Sequence, residues 1–505
     1  MKGNDVLQQN KNQSANCLAV LGTGSDVGKS IVVTALNRCL FNRGIRVVPF
    51  KAQNMSNNSG VTPDGLEMGR AQIVQAESAK LAPCVDMNPI LLKPTTEVGS
   101  QVVLMGKVMN QFTAREYHEF KLQLEKTAQS ALNRLRQSYE VVIIEGAGSC
   151  AEVNLMKSDI VNLRMAEYAD APVILTADIH RGGVFAQIIG TLACLNRDQR
   201  KRIAGFIINR FRGDISLFAD GVKWIESRTR KPVFGVLPWF SDFQIEAEDS
   251  VVIEKPEKIP THAIQTPAIA VIRIPHISNF TDFDPLSRID GLHVYFLASP
   301  QNLDRFSAVI LPGSKSTRWD LDWLFKTGWA TQIMNYSKNG GPLLGICGGY
   351  QIMGTKVHDP DGIEGTPGIS KGLNILPVET ELIAPKTTTR TRFSWNGIIG
   401  TGYEIHMGKT IRKGGMSLFQ VHEKNGAPVM SEDGCLSTDG NHMGTYIHGL
   451  FDNPDIMKNW LKQVKIETSC INDSHGWAAR DADYEKLARH FEKHMDMDKI
   501  LQLIK

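Results

Sequence analysis

Cys17-Leu18-Ala19-Val20-Leu21-Gly22-Thr23-Gly24-Ser25-Asp26-Val27-Gly28-Lys29-Ser30 decides the fold of the first half of this 505-residue chain. A short apolar strand runs into a glycine-rich loop, then into Gly-Lys-Ser and a helical pattern that lasts through Leu40. Strand, loop and helix in that order are the context a phosphate-binding loop requires. The glycines let backbone N–H groups turn inward, and the helix dipole adds to them. Gly22, Thr23, Gly24, Val27 and Gly28 are therefore the expected nucleotide contacts. Lys29 is expected to reach the β- and γ-phosphates and the Ser30 hydroxyl to ligate Mg²⁺. The spacing departs from the commonest form: five residues, not four, separate Gly22 from Gly28. A chance glycine-rich strand-to-helix turn is the competing reading, and the agreement on both sides of the loop weighs against it.

Outward from this loop the pattern repeats. Arg46–Phe50, Val141–Glu145, Ala171–Asp178, Ile203–Arg210 and Val233–Pro238 are apolar runs separated by helical stretches. Continuous apolar runs mark strands buried on both faces. Their alternation with helices predicts a doubly wound parallel sheet. Glu145 ends one of these strands beside a small-residue loop, where a metal ligand is useful or a structural carboxylate sits. Glu67–Leu81 reads as a helix with Gly69 as its weak point, and Glu67 is a further metal candidate. Lys51–Ser59 is a polar loop at the end of a strand, the position where open α/β sheets bind ligands. Lys51, Gln53 and Asn54, with Lys93, are the substrate candidates, although a solvated loop explains the composition equally well.

A second centre lies in Gly341-Pro342-Leu343-Leu344-Gly345-Ile346-Cys347-Gly348-Gly349-Tyr350-Gln351. An apolar run ends in a glycine-flanked cysteine and could enter a helix. Such a turn exposes its side chain, lowers the thiol pKa and supplies N–H groups for an oxyanion. Taken alone, Cys347 is more readily a buried structural cysteine. Gly444–Phe451 delivers His448 to a loop, and Val309–Thr317 is a strand with a second glycine loop. Cys347 and His448 then form a nucleophile–base pair, with Gly313 and Gly348 as oxyanion donors. That pairing suits acyl transfer from an amide to a thiol.

These features predict an N-terminal unit over residues 17–253, after a disordered lead-in over 1–16. A proline-rich linker follows at 254–267. A second unit covers 268–460, and a helical segment covers 461–505. A hydrophobic share of 42% with 22% charged residues is that of a globular protein, and a net charge of +3 gives no ground for nucleic acid or a membrane surface. The eight cysteines show no C-x-x-C spacing, which fits a reducing compartment. Neither a signal peptide nor an 18-residue apolar run is legible, so a cytoplasmic location is expected.

Gly341–Gly354 with the His448 stretch resembles the class I glutamine amidotransferases, whose domain is a flavodoxin-like α/β fold. Gly22–Ser30 with Glu145 and Asn209-Arg210 is similar to the dethiobiotin-synthetase-like ATPases, which carry the longer loop. The two in this order resemble the glutamine-dependent corrinoid amidotransferases. Lys51–Asn58 and Leu92–Val108 point within that family to its cobyric acid synthase branch. The resemblance implies ATP and glutamine as co-substrates, Mg²⁺ as cofactor, no metal cluster, and a small-molecule corrinoid as the acceptor. It implies amidation of the b, d, e and g carboxylates of an adenosylated a,c-diamide through acyl phosphates, with ammonia from Cys347. Asn209 and Pro238 then border the adenine. Many class I enzymes place a glutamate two residues after the histidine; here Leu450 stands there. Asp452 and Glu404 are the substitutes in view. Alternatives are the a,c-diamide synthase reaction on an earlier corrinoid, a ParA-like regulatory ATPase, and a glutaminase-fused ligase for a cell-wall lipid.

Overall fold

The computed structural model describes residues 15–96, 99–109, 114–240, 245–246, 266–467 and 476–505. The expectations for residues 1–14 and for the linker over 254–265 lie outside the described residues. No described helix is long and apolar enough to cross a membrane.

The first sheet has six parallel strands. From edge to edge they are Val233–Pro238, Ile203–Phe211, Val173–Asp178, Asn16–Gly22, Val141–Glu145 and Val47–Phe50. The period of two explains why these strands read as unbroken apolar runs. Ala19, Leu21, Val142 and Ile144 feed the core on one face, while Leu18, Val20, Val141 and Ile143 feed the core on the other. The strand of the phosphate loop is central, so the loop opens at the carboxyl edge of the sheet. Asn16 already pairs with Val141, so order begins within the segment expected to be a lead-in.

The second sheet runs His293–Leu297, Ala268–Ile272, Ala308–Leu311, Leu343–Ile346, His442–Thr445 and Cys435–Leu436, parallel except for the last strand. A five-stranded antiparallel sheet beside it includes Thr387–Trp395, Ile398–His406 and the short Ile447–His448.

Three expectations about local structure change. Glu67–Gly69 is a short strand, and the helix starts only at Arg70. Gly69 is extended, and the space a side chain would occupy there is filled by Gln72, Asn54 and Asn88. The expected loop over Lys51–Ser59 holds a strand, Gln53–Met55, parallel to Ile90–Thr96. The boundary at residue 460 falls inside the helix Pro454–Gln463, and Trp460, Leu461, Val464 and Ile466 belong to the second domain's core.

The C-terminal helices return to the first domain. Leu487, Ala488, Phe491, Met495 and Ile500 pack with Val32, Leu36 and Leu40 of the phosphate-loop helix Lys29–Asn42. Arg38 pairs with Asp481 at 2.5 Å, and Asn16 donates to the carbonyl of Ile504 at 3.0 Å. Helical order breaks at Met495, between Trp477–His494 and Met497–Gln502.

Candidate active site

Two centres form, one at the carboxyl edge of each parallel sheet. At the first, Gly28 has φ +91°, and a side chain there would collide with the amide of Asn209. Asn209 donates to the carbonyl of Val27 at 2.9 Å, so it braces the loop from the neighbouring strand. Lys29 folds back over the loop and donates to the carbonyls of Gly24 (3.0 Å) and Gly148 (2.9 Å). The Thr23 hydroxyl donates to Gln187 at 3.3 Å. Pro238 lies at the far end of the same edge, its carbonyl taken by His490 at 3.1 Å.

Glu145 is fully buried and is the hub of this centre. Its Oε1 accepts from Ser30 at 2.8 Å and from Lys51 at 3.0 Å, and its Oε2 accepts from Gln75. Gln75 was not read from the sequence. Its Oε1 is buried and has no hydrogen-bond partner among the described residues. The oxygens of Ser30, Glu145 and Gln75 together form the hard donor set that suits Mg²⁺. Glu67 is not among them. Its oxygens face Lys93 (2.8 Å) and Lys386 (2.7 Å), and two ammonium groups repel a cation. The metal expectation for Glu67 is therefore corrected. Lys51, expected at the substrate, belongs with Glu145. Asn54 is buried against Gln72 at 3.0 Å, an internal bond rather than a substrate contact. Gln53 is half-buried in its strand.

At the second centre Cys347 sits on the turn between Leu343–Ile346 and the helical turn Gly348–Met353, at φ +52°. Its N–H is fixed by the carbonyl of Thr445 at 2.7 Å, and its Sγ donates to the carbonyl of Ile405 at 3.4 Å. Gly348 must be glycine, because a Cβ would lie 2.6 Å from the amide nitrogen of Ser314. That approach brings the Gly313-Ser314 strand against the turn. Gly313 in turn lies beside His448, whose Cε1 would be 3.2 Å from a Cβ there. Cys347, His448, Gly313 and Gly348 are thus brought together.

The carboxylate that faces His448 is Asp282. Its Oδ2 lies 2.6 Å from His448 Nδ1, and its Oδ1 accepts the N–H of Gly449 at 3.0 Å. Neither Asp452 nor Glu404 takes that place. Asp452 pairs with Arg480 at 2.5 Å, and Glu404 accepts from Thr391 and Lys424. Leu450 points into the core, so the usual position for a carboxylate is occupied by packing. Tyr403 stacks on His448 at 5.2 Å and 18°. Burial pulls the imidazole pKa down, but Asp282 and Cys347 outweigh it and push His448 up to about 10. The sequence signal for Asp282 was a carboxylate shortly after the strand Ala268–Ile272, at the same ligand-binding edge of the sheet.

Comparison with known proteins covers both domains. Residues 18–252 match a CobQ/CobB/MinD/ParA nucleotide binding domain, and residues 268–456 match a CobB/CobQ-like glutamine amidotransferase domain. Cobyric acid synthase of Chlorobaculum tepidum is 48% identical over 96% of this chain and 97% of its own length. The chain belongs to the cobyric acid synthase family. Cobyric acid synthases of Chlorobium phaeobacteroides, strain DSM 266 / SMG 266 / 2430 (48% identical, 98% of each chain), and Syntrophobacter fumaroxidans (43%, 97% and 99%) align equally completely. The family makes it a glutamine-dependent, amide-forming ligase. The solved structure of PurLQS from Thermotoga maritima aligns at a TM-score of 0.29 and 14% identity, over 45% of this chain and 98% of its own, and adds nothing to that assignment.

In this member of the cobyric acid synthase family the two domains meet next to Asp282. Asn58 Oδ1 accepts the N–H of Phe280 at 3.2 Å, and the N–H of Ser59 donates to Asn279 Oδ1 at 3.0 Å. Asn279 itself donates to the Tyr403 hydroxyl at 3.3 Å. A loop of the ATP domain therefore grips the segment that presents the carboxylate to His448.

Proposed function

We propose that the protein carries out the reaction for which its relatives are named, amidating the b, d, e and g carboxylates of adenosylcobyrinic acid a,c-diamide with ATP and glutamine. The observation that carries this reading is similarity to cobyric acid synthases along the whole chain, rather than over one domain. A regulatory ATPase has no use for the Cys347 centre.

Cys347 attacks the side-chain amide carbon of glutamine. The oxyanion forms against the N–H groups of Gly313 and Gly348. His448, held in one orientation by Asp282, gives a proton to the departing ammonia. Water then attacks the glutamyl thioester with His448 as base, releasing glutamate and restoring the thiol. At the other centre a carboxylate oxygen of the acceptor attacks the γ-phosphorus of ATP, and ADP leaves. A carboxylate is a poor electrophile, and its acyl phosphate is a good one. Ammonia attacks that carbonyl and phosphate leaves, giving the amide. Lys29 draws off charge from the transferring phosphoryl group. Ser30, Glu145 and Gln75 would hold Mg²⁺, which supplies further neutralisation of phosphate charge.

The test is incubation of the full chain with adenosylcobyrinic acid a,c-diamide, ATP, Mg²⁺ and glutamine, read by mass spectrometry. The acceptor mass falls stepwise by the difference between a hydroxyl and an amino group. An unchanged mass with intact, folded protein would end this reading. Consumption of the earlier corrinoid, with its a and c carboxylates still free, instead assigns the a,c-diamide synthase reaction.

A further inference from the structure

A buried cluster of charge lies where the two domains meet, and both contribute to it. Lys93 donates to Ser59 Oγ and to Glu67 Oε1, each at 2.8 Å. Lys386, from the second domain, donates to Glu67 Oε2 at 2.7 Å. Both oxygens of a fully buried carboxylate are thereby engaged. Lys315, two residues after Gly313 and half-buried, lies within electrostatic reach of Lys93, Glu364 and Glu67. Its ammonium makes no hydrogen bond or ion pair among the described residues. Glu364, the carboxylate with the larger effect on Lys315, also accepts the N–H of Arg318 at 2.9 Å.

Three lysines thus face two carboxylates, Glu67 and, for Lys315, Glu364, which formally leaves one positive charge over. Buried charge without a counter-charge is strongly unfavourable. The titration of the cluster reflects the excess. Burial first, then Lys93 and Lys315, outweigh Glu67 and pull Lys386 down to about 7. Burial and Lys93 likewise lower Lys315. The arrangement lacks an anion.

Position says which anion. Glu67 directly precedes the helix Arg70–Ser78, whose Gln75 binds Glu145. Eight residues of strand and helix place the cluster within about 20 Å of the phosphate-loop carboxylate. Lys315 adjoins the loop expected to hold the oxyanion. The cluster is therefore linked through the Arg70–Ser78 helix to the phosphate-loop carboxylate and through Lys315 to the strand beside His448. An acceptor that carries several carboxylates around a macrocycle presents others to this region whenever one is at the phosphate loop.

We propose that Lys93, Lys315 and Lys386 form a carboxylate-binding subsite that holds a second arm of the acceptor during amidation of the first. This rests on the reaction assigned above. The other source of a carboxylate is the α-carboxylate of glutamine.

The test is calorimetric binding of adenosylcobyrinic acid a,c-diamide, and separately of glutamine, to the full chain and to its Lys315→Met and Lys386→Met variants. It is run at pH 8 in two buffers of different protonation enthalpy. The acceptor Kd rises about tenfold in each variant, the loss expected for one charged hydrogen bond. The glutamine Kd stays unchanged. Lys386, lowered to about 7, gains proton occupancy on binding, so at pH 8 the unmodified protein takes up protons with the acceptor and Lys386→Met takes up fewer. Lys315 has no hydrogen bond to lose, so its variant keeps the fold and remains informative if Lys386→Met unfolds. An unchanged acceptor Kd in the folded variants overturns the subsite. A glutamine Kd that rises instead assigns the lysines to glutamine and also overturns it. Failure of the unmodified protein to bind the acceptor overturns the functional reading, and the subsite with it. Normal turnover by the unmodified protein alongside indifferent variants removes the subsite alone.

Discussion

The ATP centre and the thiol centre are built in opposite ways. The first is nearly local: Gly22–Ser30 supplies the loop, and Glu145, Lys51 and Gln75 close it from the same domain. The second is a composite. Its nucleophile, base, carboxylate and oxyanion strand come from four separated segments, and the carboxylate segment is held by Asn58 and Ser59 of the other domain. A local centre can form as soon as its domain folds. A composite one depends on the interface, so glutamine hydrolysis can answer to the state of the ATP domain.

The sharpest way to separate the centres is to disable each. Cys347→Ser lowers glutamine-dependent amidation on the order of 10⁴-fold or more and leaves ammonia-dependent amidation in place. Glu145→Gln lowers both together, by about 10³-fold. Product formation with glutamine and with ammonium chloride in parallel checks this, and equal loss in both assays for Cys347→Ser would merge the two centres.

A smaller effect comes from Asp282→Asn. Loss of the orienting carboxylate costs serine enzymes about 10⁴-fold, but a thiol ionises far more readily, so a loss on the order of 10²-fold is expected here. The pH profile is the more specific readout. His448 is raised, so its imidazolium persists until pH climbs through about 10, and the stabilisation from the Asp282 pair is present below the ordinary histidine range and lost at that upper limit. In Asp282→Asn the alkaline limb of glutaminase activity moves toward neutral pH. An unmoved limb would remove Asp282 from the centre.

The smallest effect tests the interface itself. Asn279→Ala removes the acceptor of the Ser59 N–H and the donor to Tyr403. Two hydrogen bonds amount to about 1–3 kcal/mol, enough to loosen the carboxylate segment without unfolding the domain. The ratio of glutamine hydrolysed to amide formed rises about threefold, a shift of less than 1 kcal/mol. A ratio that stays fixed would make the two centres independent.

The sequence disclosed these regions unequally, for physical reasons. Parallel strands buried on both faces read as apolar runs, so the sheets and the phosphate loop were legible. Glu67–Gly69 was misread because a helical spacing was extended through a glycine whose side-chain space is occupied. Gln75 went unnoticed because its partner lies 70 residues away, and nothing local marks one glutamine in a helix that also carries Arg70, Gln72 and Glu77. Asp282 lies 166 residues from His448 in the chain, and the sequence pointed to Asp452 and Glu404 instead. Contacts that exist only after two elements meet leave little trace in a single sequence.

The C-terminal helices that cover the phosphate-loop helix have a consequence for the order of assembly. The glutaminase domain is spliced into the ATP domain, which owns polypeptide from both sides of it. During synthesis the ATP domain waits, with the Val32, Leu36 and Leu40 face uncovered, until residues beyond 477 have left the ribosome. Cutting after residue 253 should therefore yield an aggregation-prone fragment. Residues 268–467 alone should fold as a soluble unit.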